Sequence, residues 1–183
     1  MTGVGLALVA LLVAAVLLAG AGWLSWTAQR LDRMHHRTDV SRATLDAQLL
    51  RRSGATLELA VSEALDPASR LLLLDAAHRA RTADPADLET AESALSQALR
   101  AVLEDPRSVH EVSRDPQVAA LLDELARRCA KVELARRFHN DVVVSARALR
   151  SRRRVRWLRL AGRAPEPRTV DLDDVPPAGL PTG

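Results

Sequence analysis

The sequence has few of the residues that build disulfides, β-sheets or metal sites. Its 183 residues include one cysteine, one phenylalanine, three tryptophans and no tyrosine. A single cysteine excludes an internal disulfide and a cysteine-rich metal site. Alanine, leucine and arginine are abundant instead, and all three rank high in helix propensity, whereas strands favour aromatic and β-branched residues. The composition therefore predicts an all-α protein.

Signatures of catalysis are missing from the sequence as well. It contains no G-x-S-x-G, no Walker-type phosphate loop and no glycine-rich dinucleotide turn. We interpret the adjacent His35 and His36 as a solvated pair, because a zinc site needs three or four ligands. We therefore predict no catalytic residue, no metal site and no cofactor, and expect a non-enzymatic protein. An undetected hydrolase is the weaker alternative.

Charge is absent from Val4 to Leu24, and basic residues follow this stretch from Arg30 onward. As a helix the stretch would span about 30 Å, close to the hydrocarbon thickness of a bilayer. A cleaved signal peptide and a buried helix in a soluble core are the alternatives, but a signal peptide needs a basic region that the first three residues do not provide. A lipoprotein is excluded because the only cysteine is Cys129. We predict a single-pass membrane anchor over residues 1–28.

The residues that flank this anchor predict its orientation. Trp23 and Trp26 follow the apolar stretch, where aromatic rings collect at a membrane interface. No arginine precedes the stretch and several follow it closely. The positive-inside rule then predicts a translocated N-terminal end and a cytoplasmic domain at the cell membrane.

Apolar residues recur every three or four positions between proline-marked turns, which predicts an antiparallel up-down bundle of about four helices. The first two helices are predicted over Thr38–Leu65 and Ala68–Arg81. The third is expected to begin at Asp84 and Pro85, as N-cap and first turn, and to end near Asp105. Residues 107–114 are predicted to form a loop or short helical turn.

The fourth helix is predicted from Asp115–Pro116 onward and has the clearest pattern. Its buried seam follows a 4-3-4-3 spacing through Val118, Leu122, Leu125, Cys129 and Val132, and the same phase continues through Arg136, His139 and Val143. We interpret the polar residues of this phase as a network that fixes the register of the helices.

The remaining chain divides by composition. We predict a helical bundle over residues 29–150, a basic helical extension over residues 151–163 and a disordered Pro/Asp-rich tail over residues 164–183. The candidate contacts for lipid or nucleic acid are Arg147, Arg150, Arg152, Arg153, Arg154, Arg156, Trp157, Arg159 and Arg163. Anionic lipid is favoured over nucleic acid because the chain is expected to lie on a bilayer. A merely solvated basic helix is the alternative.

Three segments resemble motifs of the LemA family of bacterial membrane proteins, and one of them, residues 115–118, DPQV, stands where the family has its "YPdL" helix start. Residues 47–52, AQLLRR, are similar to the family's "vqLkRR" segment, and residues 135–143, ARRFHNDVV, resemble its "aRr-x-YN-x-x-V" signature. The resemblance covers roughly residues 1–150, and a histidine replaces the usual tyrosine, as in a divergent member. The residues that match the family signature or stand at its positions are Arg51, Arg52, Arg136, Arg137, His139, Asn140 and Val143.

The resemblance implies an N-terminal transmembrane helix followed by an antiparallel helical bundle, and it implies no established enzymatic activity. The function expected from the sequence is that of a membrane-anchored interaction or scaffold module with an unknown protein partner. A homo-oligomer is left open. Binding of anionic lipid or nucleic acid through the basic segment is the alternative.

Overall fold

The computed structural model describes residues 2–151 and 166–181, apart from some side chains of the first helix between residues 2 and 32. Five helices lie within these residues: α1 (Thr2–Val61), α2 (Pro67–Thr82), α3 (Leu88–Leu103), α4 (Pro106–Val112) and α5 (Pro116–Arg150). No strand occurs in the same residues. The all-α class is confirmed.

The first helix runs without a break from Thr2 to Val61. Among the residues that the structure describes, no helix combines the length and the apolarity needed to cross a membrane. The membrane anchor at residues 1–28 therefore stays a prediction.

Aspartate side chains cap two of the helices directly ahead of a proline. The Asp66 carboxylate accepts hydrogen bonds from the backbone amides of Ala68 and Ser69 and caps α2. Asp105 caps α4 in the same manner, which confirms a short helical turn between α3 and α5. Hydrogen bonds from the side chains of Ser69 and Ser108, and then from the backbone amides, lower the pKa of the Asp66 and Asp105 carboxyl groups.

The predicted start of the third helix at Asp84 is wrong. The amide of Asp87 donates to the carbonyl oxygen of Asp84 at 2.9 Å and closes a turn, and α3 begins only at Leu88. Pro85 therefore lies in that turn and not in the first turn of the helix. Glu89 then takes the first-turn position, where its charge interacts favourably with the helix dipole.

The chain forms two compact units. The first unit comprises residues 1–39 and 142–167, and the second comprises residues 40–141 and 168–183. In the second unit the predicted apolar seam of α5 is buried from Val118 to Val132 and packs with residues of α1, α2 and α3. Burial also raises the pKa of the Cys129 thiol, which behaves as a small apolar side chain.

The prediction of a disordered tail is wrong for the part that the structure describes. Residues 168–181, here called the strap, contain neither helix nor strand, but Val170, Leu172 and Leu180 are buried among the helices. The burial alternates from Val170 to Asp174, as in any extended chain whose successive side chains point to opposite sides. The prolines prevent regular structure without preventing packing. Residues 152–163 of the predicted basic extension lie outside the described residues.

Candidate functional site

Polar side chains from α3 and α5 converge on the strap. Arg136 of α5 donates from Nε to Asp174 Oδ2 at 2.6 Å and from Nη2 to Oδ1 at 2.9 Å. This two-point fork is the strongest geometry that an arginine and a carboxylate can adopt. Asp174 is largely buried, and its hydrogen bonds raise the pKa of Arg136.

A second arginine, Arg100 of α3, holds the neighbouring aspartate. Its two terminal nitrogens donate to both carboxylate oxygens of Asp173, and Nη1 also donates to the carbonyl oxygen of Val175 at 2.9 Å. The guanidinium group of Arg100 lowers the pKa of Asp173. Two consecutive acidic side chains of the strap therefore each bind one arginine, and the two arginines belong to different helices.

Three uncharged side chains bind the backbone of the strap. Asn140 accepts from the amide of Val170 through Oδ1 at 2.9 Å and donates to its carbonyl oxygen through Nδ2 at 3.0 Å. Ser93 Oγ accepts from the amide of Asp173 at 3.0 Å, and Ser96 Oγ donates to the carbonyl oxygen of Asp173 at 2.5 Å. Helix side chains thus supply the hydrogen bonds that a neighbouring strand would supply in a sheet.

Beneath these contacts lies a buried ion pair. Arg52 of α1 is 1% exposed and donates from Nη2 to Glu92 Oε2 at 2.6 Å. Its Nη1 donates to Ser96 Oγ at 2.9 Å, so Ser96 joins the ion pair to the strap. Burial raises the pKa of Glu92, and the charge of Arg52 opposes that shift.

His139 of α5 connects α1 with the beginning of the strap. Its Nδ1 lies 2.9 Å from Ser41 Oγ and its Nε2 lies 3.2 Å from the carbonyl oxygen of Arg168. A neutral ring with the proton on Nε2 satisfies both contacts, because Nε2 then donates to the carbonyl and Nδ1 accepts from the hydroxyl. Burial lowers the pKa of His139 and favours this neutral form.

The far end of the strap is fixed by a close backbone approach. The amide of Gly179 donates to the carbonyl oxygen of Leu103 at 3.1 Å. A Cβ atom at position 179 would overlap that carbonyl group and lie 2.9 Å from Val109 Cγ2. Only glycine fits here without a shift, and it sets Leu180 into the apolar core.

The structure brings four of the family-signature residues together under the strap: Arg52, Arg136, His139 and Asn140. Arg51 is exposed instead, and Arg137 forms an exposed ion pair with Glu133. Val143 is buried in the first unit.

Sequence reasoning missed the α3 residues and the two aspartates of the site. Ser93, Ser96 and Arg100 are neighbours on one helical face, at spacings of three and four. That polar stripe, opposite the apolar stripe of α3, was the available signal.

Two residues of the predicted basic segment lie among the described residues. Arg147 donates from Nε to the carbonyl oxygen of Pro167 at 2.9 Å, and Arg150 lies at the end of α5. The other residues of the segment, Arg152, Arg153, Arg154, Arg156, Trp157, Arg159 and Arg163, lie outside the described residues. Among residues that are described, no group of three or more histidine, cysteine or acidic side chains is placed to hold a metal ion.

Comparison with known proteins adds no relative. No family model matches the sequence, and neither a curated protein nor a solved structure matches it. The resemblance to the LemA family therefore stays a prediction from the sequence.

Proposed function

We propose that the chain is a membrane-anchored interaction module of LemA-like architecture, with a helical bundle that engages another protein and performs no chemistry itself. The observation that carries the anchor is the exposed apolar surface of α1. Eight aliphatic side chains between Leu8 and Leu18 are each 50–74% exposed. Such a surface needs an apolar environment to cover it.

These side chains do not form one stripe. At about 100° per residue they surround most of the helix, whereas a helix that packs on a soluble core is apolar on one side only. Described side chains run without a gap from Ala7 to Trp23, a stretch shorter than the about 20 residues of a typical span. The uncharged sequence extends further, from Val4 to Leu24, and that length supports a single crossing.

The proposed topology keeps the second unit in the cytoplasm. Arginine residues 30, 33 and 37 follow the apolar stretch closely, which supports this orientation by the positive-inside rule. A reporter enzyme that is active only in the cytoplasm should be active when it is fused after Gly183, and a reporter that is active only in the periplasm should be inactive there. Activity of a periplasmic reporter at the same position would contradict this topology.

Membrane extraction tests the anchor. The full chain should stay with membranes after an alkaline carbonate wash, and the double variant Leu12→Arg/Val16→Arg should be released. Each arginine near the middle of a span costs about 2.5–3.5 kcal/mol. Leu50 and Val61 are similarly exposed aliphatic residues of α1 outside the stretch, so Leu50→Arg/Val61→Arg is the matched control and should remain bound. Release of the wild-type chain, or equal behaviour of both variants, would refute the anchor.

Cross-linking in intact membranes tests the interaction role. The full chain should be cross-linked to a different protein. The resulting adduct should be larger than the chain alone and should recur in independent preparations. Membranes that yield only unmodified chain, or only adducts of the chain with itself, would contradict a role toward other proteins.

A further inference from the structure

We propose that the groove occupied by the strap is a docking site for an extended acidic segment of another protein, and that the strap is its resident occupant. The segment would share the pattern of the strap. Two apolar residues, separated by one residue of any type, are followed directly by two acidic residues. Four residues later come a glycine and an apolar residue. The groove's role toward a partner rests on the proposed function as an interaction module, but not on the membrane anchor.

The first argument is the way the strap is held. Asn140, Ser93 and Ser96 bind its backbone amide and carbonyl groups. Backbone contacts of this kind give affinity for any extended chain, while pockets for alternate side chains give specificity.

The second argument is charge and shape complementarity. Val170 and Leu172 fill an apolar floor made by Leu45, Leu49 and Val132. Immediately beyond this floor, Arg136 and Arg100 each bind one carboxylate. The groove therefore selects an apolar pair followed by an acidic pair. At its end, the close approach at Gly179 selects a residue without a side chain.

The third argument is that the occupant is replaceable. The strap contains no regular secondary structure of its own, and the Arg100–Asp173 pair is about one quarter exposed on each side. A competing segment can therefore first replace Asp173 at the partly exposed Arg100, and then displace the buried residues of the strap. Because the strap is tethered, its effective concentration at the groove is on the order of millimolar. A partner segment must therefore be present at a higher concentration than this, or bind the groove more tightly than the strap does.

The test uses the full chain, purified in detergent, with a protease site placed between residues 152 and 165. After cleavage and removal of the released segment, a fluorescent peptide of residues 166–183 should bind saturably. The uncleaved chain should bind it at least tenfold more weakly, because its own strap competes.

Charge reversal makes the test specific. Arg136→Glu should lower the affinity of the cleaved chain for the peptide at least tenfold. A peptide that carries Asp174→Arg should bind this variant more tightly than the unchanged peptide does. Arg137→Glu is the matched control, because Arg137 is the next residue on α5 and its ion pair with Glu133 is exposed; it should bind as the wild type does. Absence of binding, or equal binding to Arg136→Glu and wild type, would overturn the proposal.

The integrity of the emptied bundle must be measured at the same time. Cys129 is 3% exposed, so its thiol should stay protected from a thiol reagent after strap removal. Rapid reaction would mean that the bundle loses its packing once the strap is removed, which would overturn the proposal.

The partner chemistry is tested by selecting random linear peptides on the cleaved chain. The expected enrichment is for two apolar residues, one position apart, followed by an acidic pair. Enrichment of peptides that lack the acidic pair would overturn the proposed partner chemistry. A dimer of the uncleaved chain that Arg136→Glu dissociates would assign the groove to a second copy instead and overturn the proposed partner. None of these outcomes affects carbonate extraction, so failure of the groove and failure of the anchor are distinguishable.

Discussion

Replacing Arg52 by methionine tests the central ion pair of the second unit. Methionine matches the length of the arginine stem but removes the donors to Glu92 and Ser96. The Glu92 carboxylate, which is 2% exposed, would then be buried without its cation.

The expected cost is large for one substitution. Removing one partner of a buried ion pair typically costs about 3–5 kcal/mol, because the other charge is left uncompensated. For a protein of this size that corresponds to a fall of roughly 6–20 °C in melting temperature. Replacing both residues, as in Arg52→Met/Glu92→Leu, should recover most of the loss, since a packed apolar pair is often as stable as the ion pair.

The pH dependence of the loss follows from Glu92. Burial raises the pKa of Glu92 in the folded protein, so the folded state holds that proton more tightly than the unfolded chain does. The penalty in Arg52→Met should therefore be small below pH of about 4.3 and grow as the pH rises through the raised pKa.

Urea unfolding of the detergent-solubilised full chain, followed by helical circular dichroism, measures these differences. Arg51→Met is the matched control, because Arg51 is adjacent and exposed. It should change the free energy of unfolding by less than about 0.5 kcal/mol. The reasoning fails if Arg52→Met costs less than about 1 kcal/mol, or if the double variant loses the sum of the two single effects.

Four further measurements test other features. Gly179→Ala should destabilise the strap by about 1–3 kcal/mol through overpacking, measured as faster protease cleavage near the C-terminal end. Gly54→Ala, whose Cβ would meet only Arg81 Nη1 at 3.9 Å, should instead stabilise the protein by up to about 1 kcal/mol; equal effects would refute the packing account. Burial lowers the pKa of His139, so stability should decline as the pH falls below about 6.5, and His139→Gln should flatten that dependence in melting curves. Vesicles with anionic lipid should retain a peptide of residues 144–164 more strongly than neutral vesicles, and equal retention would end the lipid hypothesis.

The helical part of the fold could be predicted because it depends on short-range periodicity. Val118, Leu122, Leu125, Cys129 and Val132 recur at spacings that place them on one face of a helix, and all five are buried. Asp115 marks the predicted start of α5, because its side chain accepts the amide of Gln117 in the first turn. Asp84 shows the limit of that rule, since the same dipeptide also closes a turn.

The strap could not be predicted because its contacts are distant in sequence. Arg100 and Asp173 are 73 positions apart, and Ser96 and the carbonyl group of Asp173 are 77 positions apart. The proline and aspartate content of the strap suggests disorder, since few apolar residues are available to offset the loss of chain entropy. Three buried apolar residues suffice here because two arginines and an asparagine add specific polar contacts.

The polar continuation of the α5 seam has a different meaning once the strap is seen. A seam that packs only on other helices is mostly apolar, because each inserted polar group must find a partner in the core. Beyond Val132 the seam phase carries Arg136 and His139, and both contact the strap while His139 also reaches Ser41 of α1. Asn140, beside that phase, binds the strap backbone. Register alone would require one such residue; three that turn to the same extended segment indicate that α5 presents this face to bind a chain that is not a helix.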